Sequence, residues 1–288
     1  MPHTEENCPE CDAKVYWESE RCPVCRHDMG APNVRLAQKE REALQQRYTA
    51  TQAECRQRGI DATLDAFTQA VEQESQAVIN VSPGFLQGFL AASSQFYSGY
   101  ALQTAAETRA AADFVDDTAR LATEGKLFGT IAPHLRYAAL SLDGRGLESY
   151  GSCSLTLDQR LCARAASLLE ENSYHFIEKH RLLPRTPIPP GYRAVWDDRH
   201  LLAAAKLAGD LNARSVASDF PALLLYCEGN RETDRFIEVY LFGPFDRQAI
   251  VAAMIPLSGK SCKNKIERHA LLIVRDLLTQ RDIPWRPA

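Results

Sequence analysis

The chain has 288 residues, of which 45% are hydrophobic and 24% charged, and its formal net charge is −4. That apolar share is ample for a real core, the length allows about two domains, and the acidic balance argues against a general nucleic-acid binder. No apolar run approaches the ~20 residues of a membrane span, so a cytoplasmic protein with no membrane contact is expected.

Charge is unevenly spread. Residues 1–134 hold 12 Lys and Arg against 19 Asp and Glu, and residues 135–288 hold 21 against 18. The first part is acidic and the second mildly basic.

At the front stand two matched pairs, Cys8-Pro9-Glu10-Cys11 and Cys22-Pro23-Val24-Cys25, ten residues apart. Two thiolates separated by two residues grip one ion from a tight turn, and the proline presets that turn. This spacing is the zinc-ribbon pattern, so Cys8, Cys11, Cys22 and Cys25 are the expected ligands of one structural Zn²⁺. Disulfides of a secreted mini-domain, a ribbon-bound iron and a redox dithiol are the alternatives. The residues before Cys8 are polar and acidic, without an apolar signal segment. Cys55, Cys153, Cys162, Cys227 and Cys262 are scattered, as reduced buried cysteines are. The ribbon, residues 1–31, is expected to serve docking, and the domain beyond Gly125 to keep its fold when the metal is removed.

Residues 32–124 read as a helical connector. Val34 to Arg58 suits a solvated helix ended by Gly59, and Asp61 caps a shorter one carrying Leu64, Phe67 and Val71. Ser82-Pro83-Gly84 opens a further helical stretch with Ser as cap and Pro at the first position. From Phe85 to Glu124 small residues dominate, which suits close helix packing.

Residues 125–288 change texture and read as a mixed α+β domain. Leu135–Leu142, Ser152–Leu157, Ala222–Cys227 and Phe236–Phe242 are strand candidates. Asp158 caps a helix through Leu169, Asn172–His180 continues helical, and a further helix starts at Asp197 or Asp198. Asp246–Ala253 reads as a short helix and Lys263–Gln280 as a strong final one.

No Walker loop, dinucleotide turn, G-x-S-x-G or H-E-x-x-H is present, and the histidines share no metal-ligand spacing. One residue stands out. Phe236-Ile237-Glu238-Val239-Tyr240 places a carboxylate inside an apolar strand, with Phe236 and Tyr240 on its face. Ionised burial is expensive without partners, so Glu238 is either a working residue or an edge-strand Glu facing water.

Tyr150-Gly151-Ser152-x-Ser154-x-x-Leu157, Arg164-Ala165-x-Ser167, Glu171-Asn172-Ser173-x-x-Phe176 and Phe236-Ile237-Glu238-Val239-x-x-Phe242-Gly243-Pro244 together resemble mono-ADP-ribosyltransferase domains of the toxin and phage-associated type. The resemblance covers about residues 130–260. It implies NAD as substrate, Arg136 as the clamp on its phosphates, Ser152 and Ser154 as the serine element and Glu238 as stabiliser of the ribosyl cation. Tyr150 or Tyr137 would stack on nicotinamide. Arginine-modifying members carry Glu or Gln two residues before the catalytic glutamate, where Phe236 stands here. The target is therefore open among RNA, DNA and protein. The resemblance further implies a bacterial toxin or antiphage-defence effector, held by an antitoxin or other regulatory protein. If nucleic acid is the target, Arg181, Arg185 and Arg193 are the expected contacts. The alternative is a non-catalytic adaptor whose ribbon binds nucleic acid or a partner protein.

Overall fold

A computed structural model of the chain describes residues 5–92, 97, 123–182, 186, 188–230, 233–256 and 265–288. Arg185, Cys262, Lys263 and nearly all of the small-residue stretch between 93 and 122 lie outside them. The chain begins with an antiparallel pair, β1 (Glu5–Asn7) and β2 (Lys14–Tyr16). The strands β3 (Gln76–Val81), β4 (Leu135–Ser141), β5 (Cys153–Leu157), β6 (Ala166–Leu169), β7 (Arg193–Val195), β8 (Glu238–Phe242), β9 (Ile250–Ile255) and β10 (Trp285–Pro287) form one mixed sheet. Its order is β10-β9-β5-β3-β4-β8-β6-β7, antiparallel throughout except between β10 and β9.

The helices among the described residues are α1 (Pro32–Gln38), α2 (Arg41–Gln57), α3 (Asp61–Glu74), α4 (Pro83–Ala91), α5 (Gln159–Ala165), α6 (Ser173–Lys179), α7 (Arg199–Leu207), α8 (Phe220–Leu224) and α9 (Lys265–Gln280). Local chemistry starts several of them. Ser82 accepts from the Phe85 amide ahead of Pro83, Asp158 from Arg160 and Asn172 from Tyr174, each satisfying an orphan N–H of a first turn. Among the described residues no helix is long and apolar enough to cross a membrane.

The sheet's two faces differ in chemistry, because successive side chains of a strand point opposite ways. One face carries Ile79 and Val81, Ala138 and Leu140, Leu155, Leu168, and Val239 and Leu241. It is buried under Leu64 and Phe67 of α3, Phe89 of α4, Leu202 of α7 and Val274 of α9. The other face is mixed. Over β8 and β6 it carries Tyr240 and Leu169, packed with Trp17 from the front of the chain, Phe128 and Phe176. In the middle, Ala139 packs with Leu147, Phe236 and Tyr150. Toward β5 it turns polar, with Ser154 and Thr156 on this side.

Several expectations need correction. The strand β3, expected to lie in a helical connector, pairs with both β4 and β5 and stands mid-sheet, so the sheet begins well before Gly125. The single helix from Val34 is two helices. They part at Glu40, whose carboxylate is drawn to Arg193 at 3.2 Å and to the Gly191 amide at 3.1 Å. The helix from Asp158 stops at Ala165, and Ala166–Leu169 is β6 between β8 and β7. Ala222–Cys227 is no strand, because Pro221 starts α8 and only Tyr226 bridges Arg235. The expected helix at Asp246–Ala253 is a short 3₁₀ turn leading into β9.

Candidate functional site

The four front cysteines converge. Their Sγ atoms all lie within 4.8 Å of one another, and the pairs Cys8–Cys25 and Cys11–Cys22 stand at 3.6 Å. Four thiolates around a tetrahedral zinc with bonds near 2.3 Å sit about 3.8 Å apart, so the donor set and its spacing fit Zn²⁺. Each pair lies on a matching turn. Asp12 donates its amide to the Cys8 carbonyl and Arg26 to that of Cys22, and both adopt positive φ, 57° and 66°. Backbone N–H groups of Cys25 and Val24 pull the Cys22 thiol down to about 6, while burial and the facing thiols push Cys25 up to about 12 and raise Cys11. Cys8 and Cys22 are buried, while Cys11 and Cys25 reach the surface.

The ribbon is built into the molecule. Arg35 of α1 pairs with Glu6 at 2.7 Å and donates to the carbonyls of Met29, Gly30, Trp17 and Ser19. Two residues earlier, Asn33 donates its amide to Ala165 O at 3.1 Å, Ser167 Oγ at 3.0 Å and Tyr240 O at 2.9 Å. Glu18 accepts from Thr130 at 2.9 Å. The four-cysteine module is thus fastened to β8 and β6 through a buried asparagine and an arginine hub, with Trp17 only 5% exposed.

The two residues expected to share an NAD site are not brought together. Glu238 pairs with Ala139 across β8 and β4, and Arg136 pairs with Leu241. Paired residues share a face, and 136 and 139 differ by an odd number, so the two side chains leave the sheet on opposite sides. Arg136 is 2% exposed in the helix-covered layer. Its Nη1 donates to the His134 carbonyl and its Nε to Tyr97 O at 3.4 Å, and burial pulls the guanidinium down to about 10.

Glu238 is buried on the other face, so it is not an edge-strand residue facing water. Its Oε2 accepts from the Ser173 amide at 2.8 Å and from Tyr240 Oη at 2.7 Å. Burial, then the neighbouring carboxylate, raises the Tyr240 phenol well above its ordinary value. The pair ties the first residue of α6 to β8.

Tyr150 lies on a 3₁₀ turn, Glu148–Tyr150, and Ser152 precedes β5. Ser154 is on β5, where its Oγ accepts from Asn80 at 3.1 Å. Pairing with Asn80 puts Ser154 on the Glu238 side of the sheet, but with two strands, β3 and β4, between them. Of the arginines proposed for nucleic acid, Arg193 is 7% exposed and spent on Glu40 and the Leu127 carbonyl.

A cluster that the sequence reading did not single out surrounds the end of β6. Buried Glu170 meets Arg47 at 2.7 Å and Lys179 at 3.4 Å, and Glu171 meets Lys179 and Lys206, each at 3.2 Å. Burial would raise the Glu171 carboxyl, but Lys206 and Lys179 hold it below its ordinary value. Burial outweighs Glu171 at Lys206 and lowers that ammonium. The adjacent Glu170-Glu171 pair at the end of an apolar run was the available signal.

No protein-family model matches this chain, and no curated protein does.

Proposed function

We propose that this chain is a zinc-ribbon recognition protein that acts by binding a partner, with one Zn²⁺ held by Cys8, Cys11, Cys22 and Cys25. The carrying observation is the convergence of the four thiols at tetrahedral spacing. Zinc held by four thiolates has no open position, so its part is structural. The ribbon's charge selects the kind of partner. Residues 5–30 carry Glu5, Glu6, Glu10, Asp12, Glu18, Glu20 and Asp28 against Lys14, Arg21 and Arg26, and four thiolates around one zinc add further negative charge. Such a surface repels phosphate backbones and suits a basic protein surface, with exposed Tyr16 and Val24 adding apolar contact.

The test is binding of the zinc-loaded full chain to mixed-sequence RNA, duplex DNA and a lysine-rich peptide over a range of salt. The peptide should bind at low salt, release as salt rises, and bind less well to a Glu10→Lys, Glu20→Lys variant. RNA or DNA binding stronger than peptide binding would overturn the reading.

The second reading is the NAD-dependent ADP-ribosyltransferase, with an antitoxin or regulator as further partner. It is favoured by one observation, a buried carboxylate at Glu238 on the same side of the sheet as Tyr150 and Ser154. A phosphate clamp at Arg136 is not part of that side. Incubation with labelled NAD and a cell lysate decides between the readings, since label entering protein, RNA or DNA requires the transferase.

A further inference from the structure

Away from Glu238, the polar side of the sheet opens into a groove of about 590 Å³. That volume falls within the ~300–1,000 Å³ of small-ligand sites. Gln76 of β3, Thr156 of β5 and Met254 of β9 form the floor, and Glu74, Gly144 and Arg286 stand at its walls. Three of these groups hold unused hydrogen-bonding capacity. Gln76 Oε1 accepts from Thr156 Oγ1 at 3.3 Å, which leaves its NH₂ without a partner among the described residues. Arg286 gives one N–H to the Asp143 carbonyl, and its other donors have no partner among them. The exposed Glu74 carboxylate makes neither a hydrogen bond nor an ion pair there.

The Arg286 and Gln76 heads converge. A Cβ built on Gly144 would lie 3.3 Å from Arg286 Nη2, 3.7 Å from Gln76 Oε1 and 3.7 Å from Met254 Sδ. Gly144 has φ +76°, which a side chain rarely adopts, so this corner stays open for a steric and a conformational reason. The turn is fixed beforehand, because Asp143 Oδ1 accepts from the Arg145 amide at 3.0 Å and from Ser141 Oγ at 3.1 Å. The atom of Gln76 at this corner is the acceptor Oε1, so the donor there is the Arg286 guanidinium, which suits a carboxylate. Glu74 opposes a ligand that is purely anionic, and Arg286 opposes one that is purely cationic.

We propose that this groove binds a small zwitterion of the amino-acid or dipeptide class, its carboxylate on Arg286 and its ammonium on Glu74. This goes beyond the ribbon reading and does not depend on it. The experiment is calorimetry of the zinc-loaded full chain with alanine and dialanine, each also as its N-acetyl and C-amide form. The free zwitterions should bind, and amidation should weaken binding about tenfold or more, the size of a lost charge-assisted hydrogen bond. Arg286→Ala should abolish the penalty of amidation and Arg286→Lys restore part of it, while Glu74→Gln should abolish the penalty of acetylation. Both residues are exposed, so these variants should fold. No heat from any probe up to about 10 mM, far beyond useful affinity, would overturn the proposal, as would equal binding of free and capped forms.

Discussion

Trp17 of the ribbon and Tyr240 of β8 are buried in one apolar cluster, so the four-cysteine module and the central sheet share a core. From sequence alone the domain beyond Gly125 is expected to keep its fold without the metal, and the ribbon to be a docking accessory. Its burial instead makes Trp17→Ala a core truncation. Such changes cost about 3–5 kcal/mol, and the midpoint of denaturant unfolding, followed by far-UV circular dichroism, should fall accordingly. An unchanged midpoint would mean that the ribbon does not support the sheet.

Glu238→Gln separates a structural from a chemical role. The Ser173 amide and Tyr240 Oη both bond to one oxygen, Oε2, so Gln keeps both only with its amide oxygen at that position, and each bond then loses its charge-assisted share. Weakening two charge-assisted bonds to neutral ones costs about 1–3 kcal/mol, which thermal unfolding will detect. In a transferase, the same variant would keep its stability and lose about 100- to 1000-fold in rate. The measured pair, stability and NAD consumption, tells the two apart.

Arg136→Met should be neutral or mildly stabilising, within about 1–2 kcal/mol of the parent, because it replaces a desolvated charge in an apolar layer with a flexible apolar chain. Equilibrium denaturation checks this. A loss of NAD affinity with an unchanged fold would instead support a phosphate clamp at that position.

What could be read in advance follows from how local each signal is. The Cys-Pro-x-Cys pairs carry their own geometry, and the alternation of Phe236 to Tyr240 placed Glu238 and Tyr240 on one face, as found. The Ser82-Pro83 start of α4 and the Asn172 start of α6 were equally local. The strand β3 was missed between two helices although Val78, Ile79 and Val81 are β-branched. The strand β6 was missed because Ala166-Ser167-Leu168-Leu169 follows α5 without a breaker. The strand β9 reads as helix from its alanines and methionine, and tertiary pairing overrides that propensity. The opposite placement of Arg136 and Glu238 depends on the register between β4 and β8, which neither strand's own residues disclose.

Acid should destabilise the protein in two stages. Burial holds the His180 and His200 imidazoliums below their ordinary value, and Lys206 and Lys179 hold Glu171 below its own. In each case the unfolded chain binds more protons, so the stabilisation is present above the ordinary value and is lost as pH falls through the folded one. The melting temperature should therefore begin to drop below about pH 6.5, then drop again below about pH 4.3. Glu171→Gln should lower stability at neutral pH and blunt the second drop. A second drop of unchanged size in that variant would assign it to other carboxylates.

The central claim, a four-cysteine zinc site that supports the whole molecule, is tested most directly by metal analysis joined to a melt. Freshly purified full chain should carry one zinc per molecule by native mass spectrometry. Chelation should lower the melting temperature of the sheet itself, by about 2 °C for each kcal/mol of coupling lost. Metal-free protein as purified, or a sheet that melts at the same temperature with and without zinc, would contradict it.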